Sequence, residues 1–356
     1  MSGDWLPIAP ERAGFAANLN ERLDQAIADK RIWNVHGVVV MRSDRVVLER
    51  YFHGQDYARG RPLGEVSFGA DTLHDLRSVS KSIVGLLYGI ALERGKVPPP
   101  EAPLLSSFPA HAGLAADPGR KGWTLHHVLS MTMGTDWDEL SVPYSDPANS
   151  EIAMDRAPDR YRYVLERPLV FRPGQRWVYN GGATALLGRV IADATGKSLH
   201  DFAREALFDP LGLGQTEWLA DDKGDAIAAS GLRLSLRDLA RLGRLMLRGG
   251  KVAGKGVVSA EWLARSTTPY VAVDEVRRYG YHWYLSHFAF AVTSGPRWSR
   301  NRLEQAWGAY GNGGQRLWVL PGLDLVVAIL AGNYDDPEQW VPPMRVLRQV
   351  VLASLE

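Results

Sequence analysis

Leu76-Arg77-Ser78-Val79-Ser80-Lys81-Ser82 runs directly into an apolar stretch that ends at Gly95. Ile83, Leu86, Leu87, Ile90 and Ala91 recur at the spacing of one helix face, so a helix is predicted over 79–94 with Gly95 as its stop. Ser78 then stands at the helix N-terminus, where backbone N–H groups lack intrahelical partners. Lys81, three residues on, comes round to the same side. A serine hydroxyl is a weak nucleophile at neutral pH and needs a base, and a lysine that has lost its proton can serve. Burial and the helix N-terminus are both expected to lower the Lys81 pKa. S-x-x-K is a short pattern that a lysine on a capped surface helix also produces, so its weight depends on its surroundings.

Upstream, His36–Arg42 and Arg45–Phe52 are β-rich runs joined by Ser43-Asp44, which reads as a hairpin. Downstream, from Trp123 to Leu213, the pattern is mainly helical. Thr124 is placed to cap Leu125–Thr132, and helices are expected over Ala183–Ala194 and Leu199–Phe208. Leu236–Leu247 is a further amphipathic helix with Ser235 as its cap. Strands return at Tyr279–Leu285, Phe288–Thr293, Gln315–Leu320 and Leu325–Ala331, and Gln339–Leu355 closes as a helix. Strands at both ends with helices between them predict an α/β (α+β) chain in which one sheet draws on both termini. The expected division is an α/β domain over 1–97 and 235–356 and a helical insertion over 98–234.

Two more segments stand out. Pro173-Gly174 marks a turn ahead of Trp177-Val178-Tyr179-Asn180-Gly181-Gly182, which leaves Tyr179 just before a helix. A tyrosine there could relay a proton if a cationic neighbour steadied its phenolate. Tyr310-Gly311-Asn312-Gly313-Gly314-Gln315 leads into a strand, and its glycines allow close approach of backbone to a ligand.

Composition narrows the function. The chain of 356 residues carries 41 basic and 40 acidic side chains, without the basic patch of a nucleic-acid binder. No apolar run reaches the roughly 18 residues a membrane span needs, and Met1–Pro10 lacks the basic-then-apolar pattern of a leader. A cytoplasmic protein without nucleic-acid or membrane partners is expected. There is no cysteine, which removes disulfides, thiolate metal sites and cysteine nucleophiles. No metal or other cofactor is expected: the histidines show no ligand spacing along the chain, and no G-x-S-x-G, H-E-x-x-H or nucleotide-binding glycine pattern occurs.

Taken in order, the three segments resemble the serine β-lactamase-like superfamily of class C β-lactamases, penicillin-binding proteins and family VIII esterases. Leu125-His126-His127-Val128-Leu129-Ser130, Ser230-Gly231-Leu232-Arg233-Leu234 and Asp238-Leu239-Ala240-Arg241 add to the likeness. The resemblance implies an antiparallel sheet flanked by helices with an inserted all-helical domain. It implies Ser78 as nucleophile, Lys81 as base and Tyr179 as the third catalytic group, with the N–H groups of Ser78 and Gln315 as oxyanion hole. Two positions depart from the usual pattern. Gly181 stands where the superfamily commonly has Asn or Ser two residues after the tyrosine. Asn312-Gly313-Gly314 replaces the Lys-Thr-Gly or His-x-Gly of β-lactamases. The chain looks most similar to the 6-aminohexanoate-dimer hydrolase and carboxylesterase branch, which Tyr144-Ser145-Asp146-Pro147-Ala148 and Asp155 also resemble. The expected activity is cleavage of a small ester or linear amide through an acyl-enzyme; the alternatives are β-lactam or D-peptide hydrolysis, or a non-catalytic binding role. The residues expected to meet substrate are Tyr144, Asp155, Trp177, Asn180, Asn312, Gly313 and Gly314, with Trp283 and Trp307 as further aromatic walls.

Overall fold

Ser43 and Asp44 both adopt positive φ, 51° and 63°, the geometry of a two-residue hairpin turn that suits strand twist. They join Val35–Arg42 to Arg45–Tyr51. The chain's last strand, Leu325–Ala331, pairs antiparallel with Val35–Arg42, setting Val327 opposite Val40. That pairing unites the two ends of the chain in one nine-stranded sheet. Outward from Leu325–Ala331 lie Gln315–Leu320, Ser299–Gly311 and Tyr284–Thr293, all antiparallel, then two short strands. Leu6–Pro7, at the other edge, pairs parallel with the hairpin. This computed structural model describes residues 5–58, 60–293 and 299–356; part of the N-terminal segment read above for a leader, residues 1–4, lies outside them.

Alternation along the strands divides the core into two layers. Val39, Met41, Leu317, Val319, Val326 and Ala328 face the Val79–Glu93 and Leu236–Leu247 helices. Val38, Val40, Trp318, Leu320, Val327 and Ile329 face Leu19–Ala28 and the C-terminal helical segment. Leu325–Ala331 carries no charge and is buried throughout, as a strand covered on both faces must be.

The middle of the chain supplies the helices Ser150–Arg156, Arg160–Glu166, Gly181–Thr195 and Leu199–Ala203, of which Gly181–Thr195 packs on the Ser78 helix and the others on Gly181–Thr195. A three-stranded sheet fastens its return: Leu232–Leu234 pairs with Glu217–Trp218 on one side and with His74–Asp75 on the other. The approach to Ser78 is thereby stitched to the end of the helical segment. Among the described residues no helix is long and apolar enough to cross a membrane.

Some elements differ from the sequence reading. The strand expected over Tyr279–Leu285 breaks at Gly280–Trp283. There Tyr281 N–H donates to Ser266 O and His282 N–H to Leu129 O, at 3.0 and 3.1 Å, so the backbone serves other elements. The C-terminal helix is regular only over Val341–Arg345 and then widens to a π-helix over Val346–Val351. The hairpin of His53–Ala58 with Arg61–Ser67, and the Leu19–Ala28 helix, were not anticipated from the sequence.

Candidate active site

Ser78 is the N-cap residue of the Val79–Glu93 helix, yet its hydroxyl makes no capping bond. The neighbouring Ser80 does the structural work: its Oγ donates to Arg77 O at 2.6 Å and accepts from Leu232 N at 3.2 Å. Arg77, just before Ser78, is held at φ 48°, a region costly for a large side chain. Its guanidinium pairs with Asp75 at 3.4 Å and lies 4.8 Å from the centre of the Tyr334 ring. The turn presenting Ser78 is thus held from both sides.

Lys81 comes round one turn later, as the spacing requires. Its Nζ lies 3.0 Å from Ser78 Oγ and 3.2 Å from Ala229 O, with the side chain 2% exposed. Tyr179 closes the group: it is buried with its hydroxyl near Ser78 and Lys81, and Lys81 Nζ stands 4.8 Å from its ring centre. The turn before Tyr179 is pinned by Gly174 N to Thr132 O and Val178 N to Met131 O, at 2.8 and 2.9 Å. The Gly181–Thr195 helix begins directly after it, capped by Asn180, whose Oδ1 accepts from Ala183 N at 2.9 Å. Ser78, Lys81 and Tyr179, 101 residues apart at the extremes in sequence, are therefore brought together.

Two carboxyl groups join them that the sequence reading did not single out. Glu139 Oε1 lies 3.6 Å from Lys81 Nζ, and Glu139 is 2% exposed. Its Oε2 accepts from Gly181 N at 2.6 Å and Trp137 Nε1 at 2.9 Å, and its Oε1 accepts from Tyr144 OH at 3.1 Å. Glu151, 3% exposed, neighbours Glu139 and accepts from Ser230 Oγ at 2.9 Å. Burial and the adjacent Glu151 push the Glu139 carboxyl up to about 8, against the pull of Lys81. Two buried carboxyls in contact cannot both ionise cheaply. These groups also reverse the expectation for Lys81. Burial does favour its neutral form, but Tyr179, Glu139 and Glu151 outweigh burial and raise its pKa. Tyr179 is itself raised by burial, with Lys81 opposing.

Ser78 opens onto a cleft of about 290 Å³ lined by Arg77, Tyr144, Glu151, Ser230, Asn312 and Asp335 among others. Next to the cleft-lining Asn312, Gly311 is opposite Gln315 in the strand register. A Cβ at Gly311 would sit 2.3 Å from Leu76 O, so only glycine lets this strand approach the Ser78 turn so closely. The Gln315 amide is spent on Ala331, donating to its O at 2.6 Å and accepting from its N at 3.0 Å. Asn312 is tied to Asp335 by 2.6 and 2.9 Å bonds. Gly313 and Gly314 take φ of 91° and 98°, and Gly313 N donates to Gln339 Oε1 at 2.6 Å.

The remaining expected contacts lie elsewhere. Asp155 pairs with Arg160 at 3.7 Å, and it is Glu151, one helical turn earlier, that lines the cleft. Asn180 is occupied as a cap. Trp177 packs with Tyr179, Tyr279 and Tyr284 behind the site. Trp283 is a core residue at 0% exposure, and Trp307 packs against that core.

The chain matches the β-lactamase family model over residues 23–342. It is 26% identical over 333 residues to the 6-aminohexanoate-dimer hydrolase of Paenarthrobacter ureafaciens, covering 90% of this chain and 76% of the relative. It is 26% identical over 180 residues to the lovastatin esterase of Penicillium rubens, covering 48% of this chain and 43% of that one. The hydrolase EstCE1, described as having promiscuous acyltransferase activity, superposes with a TM-score of 0.71 at 19% identity, over 94% of this chain and 97% of its own. A penicillin-binding protein homologue from Caulobacter crescentus gives 0.66 at 18% identity over 97% and 99%; both likenesses speak for the fold. With a family match across most of its length, this chain belongs to the β-lactamase family of hydrolases.

Proposed function

We propose that the chain cleaves a small ester or linear amide through an acyl-enzyme on Ser78. The observation that carries this is the Ser78 hydroxyl, free of capping duty, 3.0 Å from Lys81 Nζ at the floor of a small cleft. Lys81 in its neutral form takes the Ser78 proton as Oγ bonds to the substrate carbonyl carbon. Ser78 N–H, at the helix N-terminus, receives the oxyanion together with Gln315 N–H, the partner that the resemblance implies, a contribution often worth several kcal/mol. The proton then passes from Lys81 through Tyr179 to the leaving alcohol or amine as the carbonyl re-forms. Water, activated by the same pair, releases the acid and restores Ser78. Lys81 already has three neighbours within reach, Ser78 Oγ, Ala229 O and the Tyr179–Glu139 side. A neutral amine can accept from the Ser78 hydroxyl while its two N–H groups keep the other neighbours, so proton transfer needs little rearrangement.

The cleft's charge favours neutral or cationic substrates over β-lactam carboxylates. Glu151 and Asp335 line it, and among the described residues its one lining arginine, Arg77, is engaged by Asp75. Ser78→Ala should abolish p-nitrophenyl butyrate hydrolysis and labelling by a fluorophosphonate probe. Undiminished turnover would remove Ser78 from the mechanism; a wild-type chain that neither turns over nor labels would support the non-catalytic alternative.

A further inference from the structure

Behind the Arg77 turn, three buried side chains from separate segments converge. His36 comes from the sheet strand Val35–Arg42, Asp56 from the hairpin strand His53–Ala58, and His74 from the short strand four residues before Ser78. Each is at most 1% exposed, and one donor atom from each lies within 4.8 Å of the others. Their orientation is set from outside. His74 Nδ1 is 2.9 Å from Asp75 O, which only accepts, so Nδ1 carries the proton and Nε2 is bare. His36 Nε2 is 3.2 Å from Asn34 Oδ1, which leaves His36 Nδ1 bare. These two bare nitrogens face each other at 2.9 Å. Asp56 Oδ1 lies 3.6 Å from His74 Nε2, and Asp56 Oδ2 is buried with no hydrogen-bond partner. Three electron-pair donors thus meet with no proton assigned between them.

We infer that His36, Asp56 and His74 bind a divalent first-row transition ion of the zinc class. Two ligand atoms each about 2.0–2.1 Å from a tetrahedral ion stand roughly 3.3 Å apart, and the 2.9 and 3.6 Å spacings here bracket that value. Imidazole and carboxylate are the donors such an ion takes. The outer contacts also fit. Metal-bound histidines donate their other N–H to a carbonyl, and bound carboxylates are hydrogen-bonded in turn. Asn34, Asp75 O and Tyr334, whose hydroxyl donates to Asp56 Oδ1 at 3.0 Å, fill those places. Arg77 and Arg233 pair with Asp75, at 3.4 and 3.0 Å. Phe68, stacked 4.1 Å from His36, closes one side. With its ligands buried and none of them lining the Ser78 cleft, the ion would act as a tie. It would join the sheet, the 53–67 hairpin and the strand that presents Ser78.

The competing arrangement turns the Asn34 amide, so that His36 Nδ1–H donates to His74 Nε2, with no metal and Asp56 Oδ2 still unsatisfied. Zinc content separates the two. Untagged full-length chain would be stripped with a chelator, given Zn²⁺, freed of excess by gel filtration and analysed for metal. About one Zn²⁺ per chain is expected, because buried His and carboxylate ligands hold the ion through filtration. Asp56→Asn keeps the shape and the Tyr334 contact, and should lose most of that zinc with an unchanged circular dichroism spectrum. Co²⁺ in the wild type should give the strong visible absorption of a tetrahedral site. Sub-stoichiometric zinc in the wild type, a folded Asp56→Asn that keeps it, or Co²⁺ absorption typical of six-coordinate ion would each overturn the site. Should Asp56→Asn fail to fold, the wild-type zinc and cobalt measurements decide alone.

Discussion

At the scale of single residues, the chemistry is governed by how a buried lysine is held. Lys81 is raised because acidic neighbours outweigh burial, so the neutral form that takes the Ser78 proton is scarce at neutral pH. Activity should therefore climb with pH through and above neutrality, on a limb belonging to the Lys81–Tyr179–Glu139–Glu151 group as a whole. Glu139→Gln removes a carboxyl 3.6 Å from Lys81 Nζ that burial and Glu151 keep largely protonated at neutral pH and that ionises along the same limb as pH rises. The ammonium then loses support, and the acid limb of kcat/KM should move to lower pH by at least about one unit, equivalent to roughly 1.4 kcal/mol. A pH profile superimposable on wild type would show that Glu139 does not act on Lys81. Lys81→Arg cannot give up its proton at working pH, so it should fold normally and lose nearly all esterase activity; wild-type turnover in that variant would exclude Lys81 as the base.

Among the elements, the Ser78 helix must be stiff, and its packing reverses an ordinary propensity. Glycine inside a helix usually costs about 1 kcal/mol relative to alanine. At Gly89, however, a Cβ would lie 2.0 Å from the Trp262 ring, and Trp262 is itself fixed by a 2.9 Å bond from its Nε1 to Gly85 O. Gly89→Ala should destabilise the protein by roughly 1–3 kcal/mol, as overpacking does, measured by urea unfolding; a stabilised variant would show that Trp262 yields. The helix after Tyr179 offers the opposite kind of test. Asn180→Ala removes the cap on Ala183 N and should cost about 0.5–2 kcal/mol. Since Asn180 touches the helix and not the cleft, KM for a short ester should stay near wild type. A KM rise of tenfold or more with unchanged stability would return Asn180 to the substrate.

For the whole molecule, the sheet that unites the chain ends and the helical middle segment form a narrow cleft, and its charge decides selection. Glu151 and Asp335 face the space beside Ser78, and Asn312, which the resemblance sets where β-lactamases carry a cation, is bound to Asp335. An ion pair in a partly desolvated cleft is worth a few kcal/mol, tens- to hundreds-fold in affinity. A short-chain p-nitrophenyl ester should accordingly be turned over with a kcat/KM at least tens of times that for nitrocefin or benzylpenicillin. Comparable β-lactam turnover would mean that Arg77 releases Asp75 to hold the substrate carboxylate.

Much of this was legible in the chain itself. Helical spacing located the Ser78 helix and its lysine, and the apolar runs at Gln315–Leu320 and Leu325–Ala331 were read with the bounds they have. Such features are local: periodicity and turn chemistry are written within a dozen residues. Glu139 stood in Asp136-Trp137-Asp138-Glu139, which by composition is indistinguishable from a solvated acidic turn; only the fold buries it against Lys81. Likewise His36, Asp56 and His74 show no ligand spacing, because they lie on strands of three separate sheets that meet only through tertiary packing. Asp155 and Glu151 share one short helix, and its docking alone determines which of them faces the cleft. Residue identity and local period determined the elements and the Ser78–Lys81 pair, since neighbours on one helix need no tertiary contact to meet. The partners of that pair were decided by burial and long-range packing, which set both distance and charge state.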